Sequence, residues 1–271
     1  MSRESDAAGK AKKLGSYFKK LDGAVVAFSG GVDSSVLART AYDVLGKKAL
    51  AVTIDSPTVD RSELQAAAKL AKDIGIRHII VKHDELKNPC FRRNEPDRCY
   101  HCKKEMLSVL KKAAEKEGIS TVVEGTNAEE ILGHRPGYAA VKEAGVRSPL
   151  AELDYKKKDI RKIAAYLGLP NAQKPSMACL SSRIPYGTEI TMELLDKVSK
   201  AEAIARSAGV KQLRVRSIGD IAVIEVLRGE QGRILADGGR ISKELKALGY
   251  KRVVLDLDGY SAGKPLRISV L

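Results

Sequence analysis

The chain has 271 residues and 48 Lys and Arg against 34 Asp and Glu, a formal charge of +14. Hydrophobic residues make up 44%, enough for a packed core, which excludes a globally disordered chain. Trp is absent and Phe scarce, which argues against an aromatic platform for nucleic acid. No apolar run approaches the ~18 residues that would cross a bilayer, and no apolar segment follows the basic N-terminus as in a secretory signal. Four Cys in a chain of this length are no disulfide framework, so a reduced, cytoplasmic setting is expected. Positive residues gather at Arg92, Arg93, Arg98, Lys103 and Lys104, and again from Arg206 to Arg252. Such a field attracts nucleic acid, nucleotides or other phosphorylated and carboxylated molecules.

Residues 5–21 predict a basic, modestly amphipathic helix. The apolar run Ala24 to Phe28 enters a Ser-Gly-Gly turn and predicts a buried strand, followed by a helix from about Asp33 to Leu45. Ala49 to Ile54 predicts a second strand, Arg61–Ile74 a helix, and His78–Val81 a third strand. A helix at about Lys103–Lys116, a run Thr121-Val122-Val123, and a short helix after Gly125-Thr126-Asn127 come next. Alternating strands and helices imply βαβ units and a parallel sheet, an α/β fold with ligands at the carboxyl ends of the strands. The loops Ser29–Ser34, Asp55–Asp60 and Gly125–Asn127 should therefore share one edge. The pattern changes near Pro175–Pro185. Beyond it, a helix at Thr191–Ala208, a hairpin around Ser217-Ile218-Gly219-Asp220, a helix at Ile234–Leu248 and a strand at Arg252–Leu257 predict a small α+β domain. The expected division is 1–180 and 181–271.

Ser29-Gly30-Gly31-Val32-Asp33-Ser34-Ser35 is the strongest chemical signal. The glycines let backbone approach a ligand closely, and the helix start offers N–H groups and a positive dipole end to phosphate. No Gly-Lys-Ser/Thr ends it, so it is not a Walker A loop. Cys99-Tyr100-His101-Cys102 is a CxxC entering a helix. The thioredoxin context of a redox dithiol is missing and no second CxxC supplies a zinc site, so spacing alone leaves free cysteines or part of a cluster. His78, His83 and His134 are scattered and read as core or surface residues. Cys179 lies in a turn-rich peptide, Pro175 to Gly187, at the domain junction. Three thiolates on a cubane leave one iron open for a ligand, which suits chemistry.

The Ser29–Ser35 segment resembles the PP-loop of N-type ATP pyrophosphatases, written SGGxDSS. That resemblance implies cleavage of ATP between the α- and β-phosphates, with Ser29, Gly30, Gly31, Val32, Asp33, Ser34 and Ser35 around the nucleotide. Asp33 then holds Mg2+ or positions pyrophosphate. Ile54 and Asp55 at the second strand's end, with Gly125, Thr126 and Asn127, are further ATP-binding candidates; taken alone, Asn127 or Thr126 is a helix cap.

SGGVDSS, CYHCKKE, GTNAEE with a following Arg135-Pro136-Gly137, KPSMACLSSRIPYG and RVRSIGDIAVIEV occur in this order. Together they resemble the LarE family of ATP-dependent sulfur-inserting enzymes over about residues 10–260. The resemblance implies an enzyme that adenylates the carboxylates of pyridinium-3,5-biscarboxylic acid mononucleotide. Each carboxylate becomes a thiocarboxylate on the way to a nickel-pincer nucleotide cofactor. One branch of the family gives up the sulfur of a single Cys in the ACLSSR peptide. Another carries a CxxC and a 4Fe-4S cluster on three Cys, with sulfide on the fourth iron. Cys99, Cys102 and Cys179 match the second branch, and Cys90 has no place in it. The resemblance also assigns Cys179 to catalysis, and Arg183, Glu202, Arg214 and Arg216 to the substrate. Arg214 and Arg216 alternate along a strand and face one way, and a guanidinium fork matches phosphate or carboxylate. Expected partners are this small molecule, a sulfide donor and further copies of the chain, with no membrane and no nucleic acid. Rival readings are a tRNA thiolase of the PP-loop class and a non-catalytic ATP-binding module.

Overall fold

A computed structural model describes residues 3–132 and 136–261. His134 and Arg135 lie outside the described residues. The chain forms two compact units. One comprises Met1–Glu85 and Cys99–Met177, the other Leu86–Arg98 and Ala178–Leu271. The expected division at 180/181 holds no counterpart to the excursion of residues 86–98, which the second unit takes up.

The first unit is built on β1 (Ala24–Ala27), β2 (Ala49–Asp55), β3 (Arg77–Lys82) and β4 (Val122–Val123). They form a parallel sheet in the order β3-β2-β1-β4. The helices are α1 (Arg3–Phe18), α2 (Val32–Leu45), α3 (Arg61–Ile74) and, after the excursion with α4 (Pro89–Arg92), α5 (Arg98–Lys116). Then come α6 (Ala128–Leu132), α7 (Pro136–Glu143), α8 (Pro149–Glu152) and α9 (Lys157–Tyr166). Side chains alternate across each strand, so the sheet has two buried faces. Ala24, Val26 and Ala51 pack with Leu14, Phe18, Val36, Leu37, Ile160 and Ile163 on one side. Val25, Leu50 and Val52 pack with Leu107, Leu110 and Val141 on the other. Both faces being apolar, the strands read as continuous hydrophobic runs. The strand order changes direction at β1, and the crevice at the carboxyl ends of β1 and β4 is where such a sheet binds ligands.

The second unit holds α10 (Met192–Arg206), β5 (Leu213–Ile218), β6 (Ile221–Val226), α11 (Gln231–Ala236), α12 (Gly238–Ala247) and β7 (Arg252–Leu255). β5 and β6 form an antiparallel hairpin, and β7 joins β6 in parallel across the helical connection. The hairpin turns at Gly219, with φ +53°, so both Ser217 and Ile218 belong to the strand rather than to the turn. Ala201, Val215, Ile224, Ile241, Leu245 and Tyr250 share its core. The helix expected over 234–248 is two, separated at Asp237.

Residues 89–98 are fixed within this unit by Asn94, fully buried and left-handed at φ +57°. Its side-chain amide donates to the carbonyls of Pro185 at 2.7 Å and Thr188 at 2.9 Å. Its own carbonyl accepts from the Gly187 N–H, and the Arg92 carbonyl from the Ile190 N–H.

Candidate active site

The loop between β1 and α2 turns at Gly30, where φ is +69°. A Cβ there would lie 3.0 Å from both Cα and Cβ of Ala67, so sterics and backbone both require glycine. Ser34 Oγ accepts from the Ser29 N–H at 3.3 Å and donates to the Gly31 carbonyl at 3.1 Å. Ser35 Oγ donates to the same carbonyl at 2.8 Å. The two serines thus fold the loop onto its own helix start. Gly125, after β4, packs against it: a Cβ there would stand 3.2 Å from that of Asp33 and 3.3 Å from the Ser34 nitrogen.

A cavity of about 350 Å³ opens beside this loop, entirely within the first unit. Its polar wall includes Ser29, Asp33, Ser34, Gly125, Thr126 and Glu130, and its apolar wall Val52, Ile54, Leu64, Met106 and Leu107. A polar end at a helix start and an apolar slot suit the phosphates and the base of a nucleotide. Of the expected ATP-binding residues, Ser29, Asp33, Ser34, Ile54, Gly125 and Thr126 line this cavity. Gly30 and Gly31 shape the turn, while Val32 and Ser35 are buried behind it. Asp55 is ion-paired with Arg61. Asn127 caps α6, its Oδ1 accepting from the N–H groups of Glu129 at 3.1 Å and Glu130 at 3.2 Å.

Three residues that the sequence reading did not single out hold this site. Lys157, at the first turn of α9, places its ammonium on Asp33 Oδ2. Asn171 donates to the Gly30 carbonyl at 3.0 Å and to Ser35 Oγ at 2.9 Å. Glu124 lies beneath Gly125 and is 3% exposed. Its carboxylate accepts from Lys103 Nζ at 2.9 Å, the Thr126 N–H at 3.0 Å, Thr126 Oγ1 at 2.9 Å and Ser148 Oγ at 2.6 Å. Burial pushes its pKa up, but the Lys103 charge and these hydrogen bonds outweigh burial and hold it below the ordinary carboxylate range. No local pattern marks Lys157 or Asn171, whose partners lie more than a hundred residues away.

Asp33 Oδ1 is buried with no hydrogen-bond partner. A carboxylate oxygen left open beside a phosphate-binding turn fits a magnesium ion carried in with a nucleotide.

The second unit brings Cys179, Arg183, Glu202, Arg214 and Arg216 into one cluster. Cys179 is exposed and precedes a 3₁₀ turn, Leu180–Arg183; its thiol lies 3.0 Å from Ser181 Oγ. Arg183 is 1% exposed and forks onto Glu202 at 2.7 and 3.0 Å. It also donates to the carbonyls of Ala178 at 2.6 Å and Cys179 at 2.8 Å. Arg216 forks onto Glu225 at 3.0 and 2.9 Å and donates to the Ser182 carbonyl at 2.7 Å. Arg183 and Arg216 are thus engaged in holding the thiol-bearing peptide. Arg214 lies over the Tyr260 ring at 5.1 Å, and burial, then the neighbouring Arg183 charge, lowers its pKa. A cation held where its own charge is disfavoured gains most from an arriving anion.

Cys99 and Cys102 sit one turn apart at the start of α5, in the helix itself rather than in the loop before it. None of the four cysteines forms a disulfide. Among the described residues no three His, Cys, Asp or Glu side chains gather as for a metal ion. Thiolate sulfur is the donor type that iron–sulfur clusters use.

Residues 11–222 match the family profile described as NAD synthase. A pyridinium-3,5-bisthiocarboxylic acid mononucleotide synthase of Lactiplantibacillus plantarum is 37% identical over 258 residues, 95% of this chain and 94% of that one. The chain belongs to the NAD synthase family and, within it, to the LarE family. An uncharacterized protein of Synechocystis, slr1717, is 42% identical over 96% of this chain and 97% of its own length. A third relative, MJ0830 of Methanocaldococcus jannaschii, is 32% identical over 87% of this chain and 90% of its own. No helix among the described residues is long and apolar enough to cross a membrane.

Proposed function

We propose that this LarE-family chain is an ATP-dependent sulfurtransferase that converts carboxylates of pyridinium-3,5-biscarboxylic acid mononucleotide to thiocarboxylates, forming AMP and pyrophosphate. The observation that carries the proposal is the end-to-end similarity to a protein named for that product, in a chain that keeps the phosphate-binding turn.

A carboxylate is a poor electrophile, and oxide a poor leaving group, so activation comes first. ATP lies with its phosphates at Ser29–Ser34 and its base against Val52, Ile54, Leu64 and Met106. Asp33 would hold Mg2+, which neutralises phosphate charge when bound. A substrate carboxylate oxygen attacks the α-phosphorus, the bond to the β-phosphate breaks, and pyrophosphate leaves. Lys157 is within reach of the phosphates through Asp33 and stabilises charge on the departing oxygens. A sulfur nucleophile then attacks the acyl carbon, and the carbon–oxygen bond to AMP breaks. Arg214 faces an anionic part of the substrate, while Arg183, Glu202 and Arg216 fix the peptide that carries Cys179.

Cys99, Cys102 and Cys179 would hold a 4Fe-4S cluster, which presents sulfide at its remaining iron when bound. A second reading is favoured by the exposure of Cys179. In it, the Cys179 thiolate attacks the acyl-adenylate to form a thioester. Loss of the Cys179 α-proton then breaks its Cβ–S bond, giving thiocarboxylate and dehydroalanine.

The test is substrate-dependent pyrophosphate release with product detection by mass, on protein purified without oxygen and reconstituted with iron and sulfide. Iron retained by wild type and lost in Cys99→Ala, Cys102→Ala and Cys179→Ala, but kept in Cys90→Ala, supports the cluster. No iron, together with loss of one H₂S from Cys179 after turnover, supports the sacrificial route. Pyrophosphate release that needs bulk tRNA instead of the pyridinium nucleotide overturns the proposal in favour of a tRNA thiolase. ATP binding without turnover reduces the chain to a binding module. Light scattering tests the self-association that belongs to the same reading.

A further inference from the structure

Arg98 is 5% exposed, and among the described residues no carboxylate pairs with it. Its Nη1 donates to Asn94 Oδ1 and, at 3.1 Å, to the Ser181 carbonyl. Its guanidinium carbon stands 5.4 Å from the Tyr186 ring centroid. A buried cation without a counter-ion is costly, and neutral acceptors with one aromatic face offset only part of that cost. The cation stands at a particular point in the chain. Arg98 is joined by a peptide bond to Cys99. Ser181, whose carbonyl it holds, is fully buried and directs its hydroxyl at the Cys179 thiol, 3.0 Å away. One side chain therefore holds the turn that presents Cys179. The other end of that turn is pinned separately, by Arg183 on the carbonyls of Ala178 and Cys179. Backbone on both sides of Cys179 is fixed while its side chain stays exposed. Asn94 completes the tie, since its amide reaches past Arg98 to Pro185 and Thr188.

We propose that Arg98 is a positioning residue for the sulfur-transfer step, holding the turn that presents Cys179. The proposal rests on the function proposed above and assigns it a residue that acts after adenylation. None of Arg98's contacts involves the nucleotide cavity, so losing it should leave the first half-reaction intact.

The experiment compares wild type, Arg98→Met and Arg98→Lys in two measurements. The first is the ratio of thiocarboxylate formed to pyrophosphate released. The second is amide exchange of residues 178–187 in protein without iron. In Arg98→Met, pyrophosphate release should stay within about threefold of wild type while the ratio falls about tenfold or more. Exchange at the Ser182 and Ile184 N–H groups, bonded to the carbonyls of Cys179 and Ser181, should quicken by about tenfold, with the rest of the second unit unchanged. Arg98→Lys keeps one donor and should fall between the two. A purely structural role would lower both half-reactions together and leave the ratio at its wild-type value; that result overturns the proposal. So does unchanged exchange in 178–187. If Arg98→Met does not fold, Arg98→Lys decides alone, by whether its ratio drops at least about threefold. Absence of pyridinium-dependent pyrophosphate release in wild type itself marks failure of the proposed function, and this proposal falls with it.

Discussion

Glu124→Gln puts the support beneath the nucleotide cavity to a quantitative test. The carboxylate takes four donors: the Lys103 ammonium, the Thr126 amide and hydroxyl, and the Ser148 hydroxyl. A glutamine has one acceptor oxygen, and its NH₂ must then face donors. If the oxygen keeps the Ser148 hydroxyl and the Thr126 N–H, the Lys103 and Thr126 hydroxyl bonds are lost. Bonds to a charged group are worth about 1.5–3 kcal/mol each when fully buried. The Lys103 side chain is 32% exposed and can rehydrate, so its share is discounted to roughly 1 kcal/mol. The hydroxyl adds roughly 1–2 kcal/mol, for a total near 2–3 kcal/mol at about pH 7. The sign with pH follows from the depressed pKa of Glu124. Its contribution is present in full above the ordinary carboxylate range and is lost as pH falls through the lower, folded value. Urea unfolding followed by circular dichroism at neutral and acidic pH should show the difference between wild type and variant shrinking on acidification. Calorimetric titration with MgATP should show weaker binding, because Gly125 and Thr126 line the cavity. A difference under about 0.5 kcal/mol at neutral pH, or one that grows on acidification, would refute the reasoning.

Gly30→Ala should destabilise by about 1–3 kcal/mol in thermal unfolding and abolish ATP binding, because a β-carbon meets Ala67 backbone and the residue is left-handed. Lys157→Met should lower the rate of pyrophosphate release by about tenfold or more with little change in melting temperature, checked by steady-state assay. Arg183→Met strands a buried Glu202 and should cost about 3–5 kcal/mol in chemical denaturation. The double variant Arg183→Met/Glu202→Leu should recover part of that loss; no recovery would mean that the tie to the Ala178 and Cys179 carbonyls dominates.

The first unit's sheet was legible because each strand is a short apolar run and each helix carries a periodic face. The phosphate turn was legible because glycine and serine are needed at fixed offsets between such elements. α3 was delimited by Asp60 as N-cap and Gly75 as a left-handed C-cap, both visible in the sequence. What escaped has a common physical cause. Asn94, Lys157 and Asn171 act on partners distant in sequence, as Glu124 does through Lys103 and Ser148, and nothing local distinguishes them from ordinary polar residues. The split of the last helix falls on one residue, Asp237, which the apolar spacing of 234–248 does not mark. Arg183, Glu202 and Arg216 lie in one cluster, but the forks of Arg183 on Glu202 and of Arg216 on Glu225, and the hold of both on backbone carbonyls, join residues that no local pattern links.

The excursion of residues 86–98 bears on how the protein is made. On a ribosome, this segment emerges some eighty residues ahead of the peptide it will clasp. Until then the carbonyl of Arg92 and the amide of Asn94 have no lasting partners, and the chain on either side can complete the first unit around a waiting loop. A fragment starting at Ala178 would lose the Asn94 donor to the Thr188 carbonyl and would leave the Ser181 and Pro185 carbonyls only their Ile184 and Thr188 N–H donors. The peptide that carries Cys179 is therefore secured from both directions, by the segment 86–98 made before it and by Glu202 and Arg216 made after it.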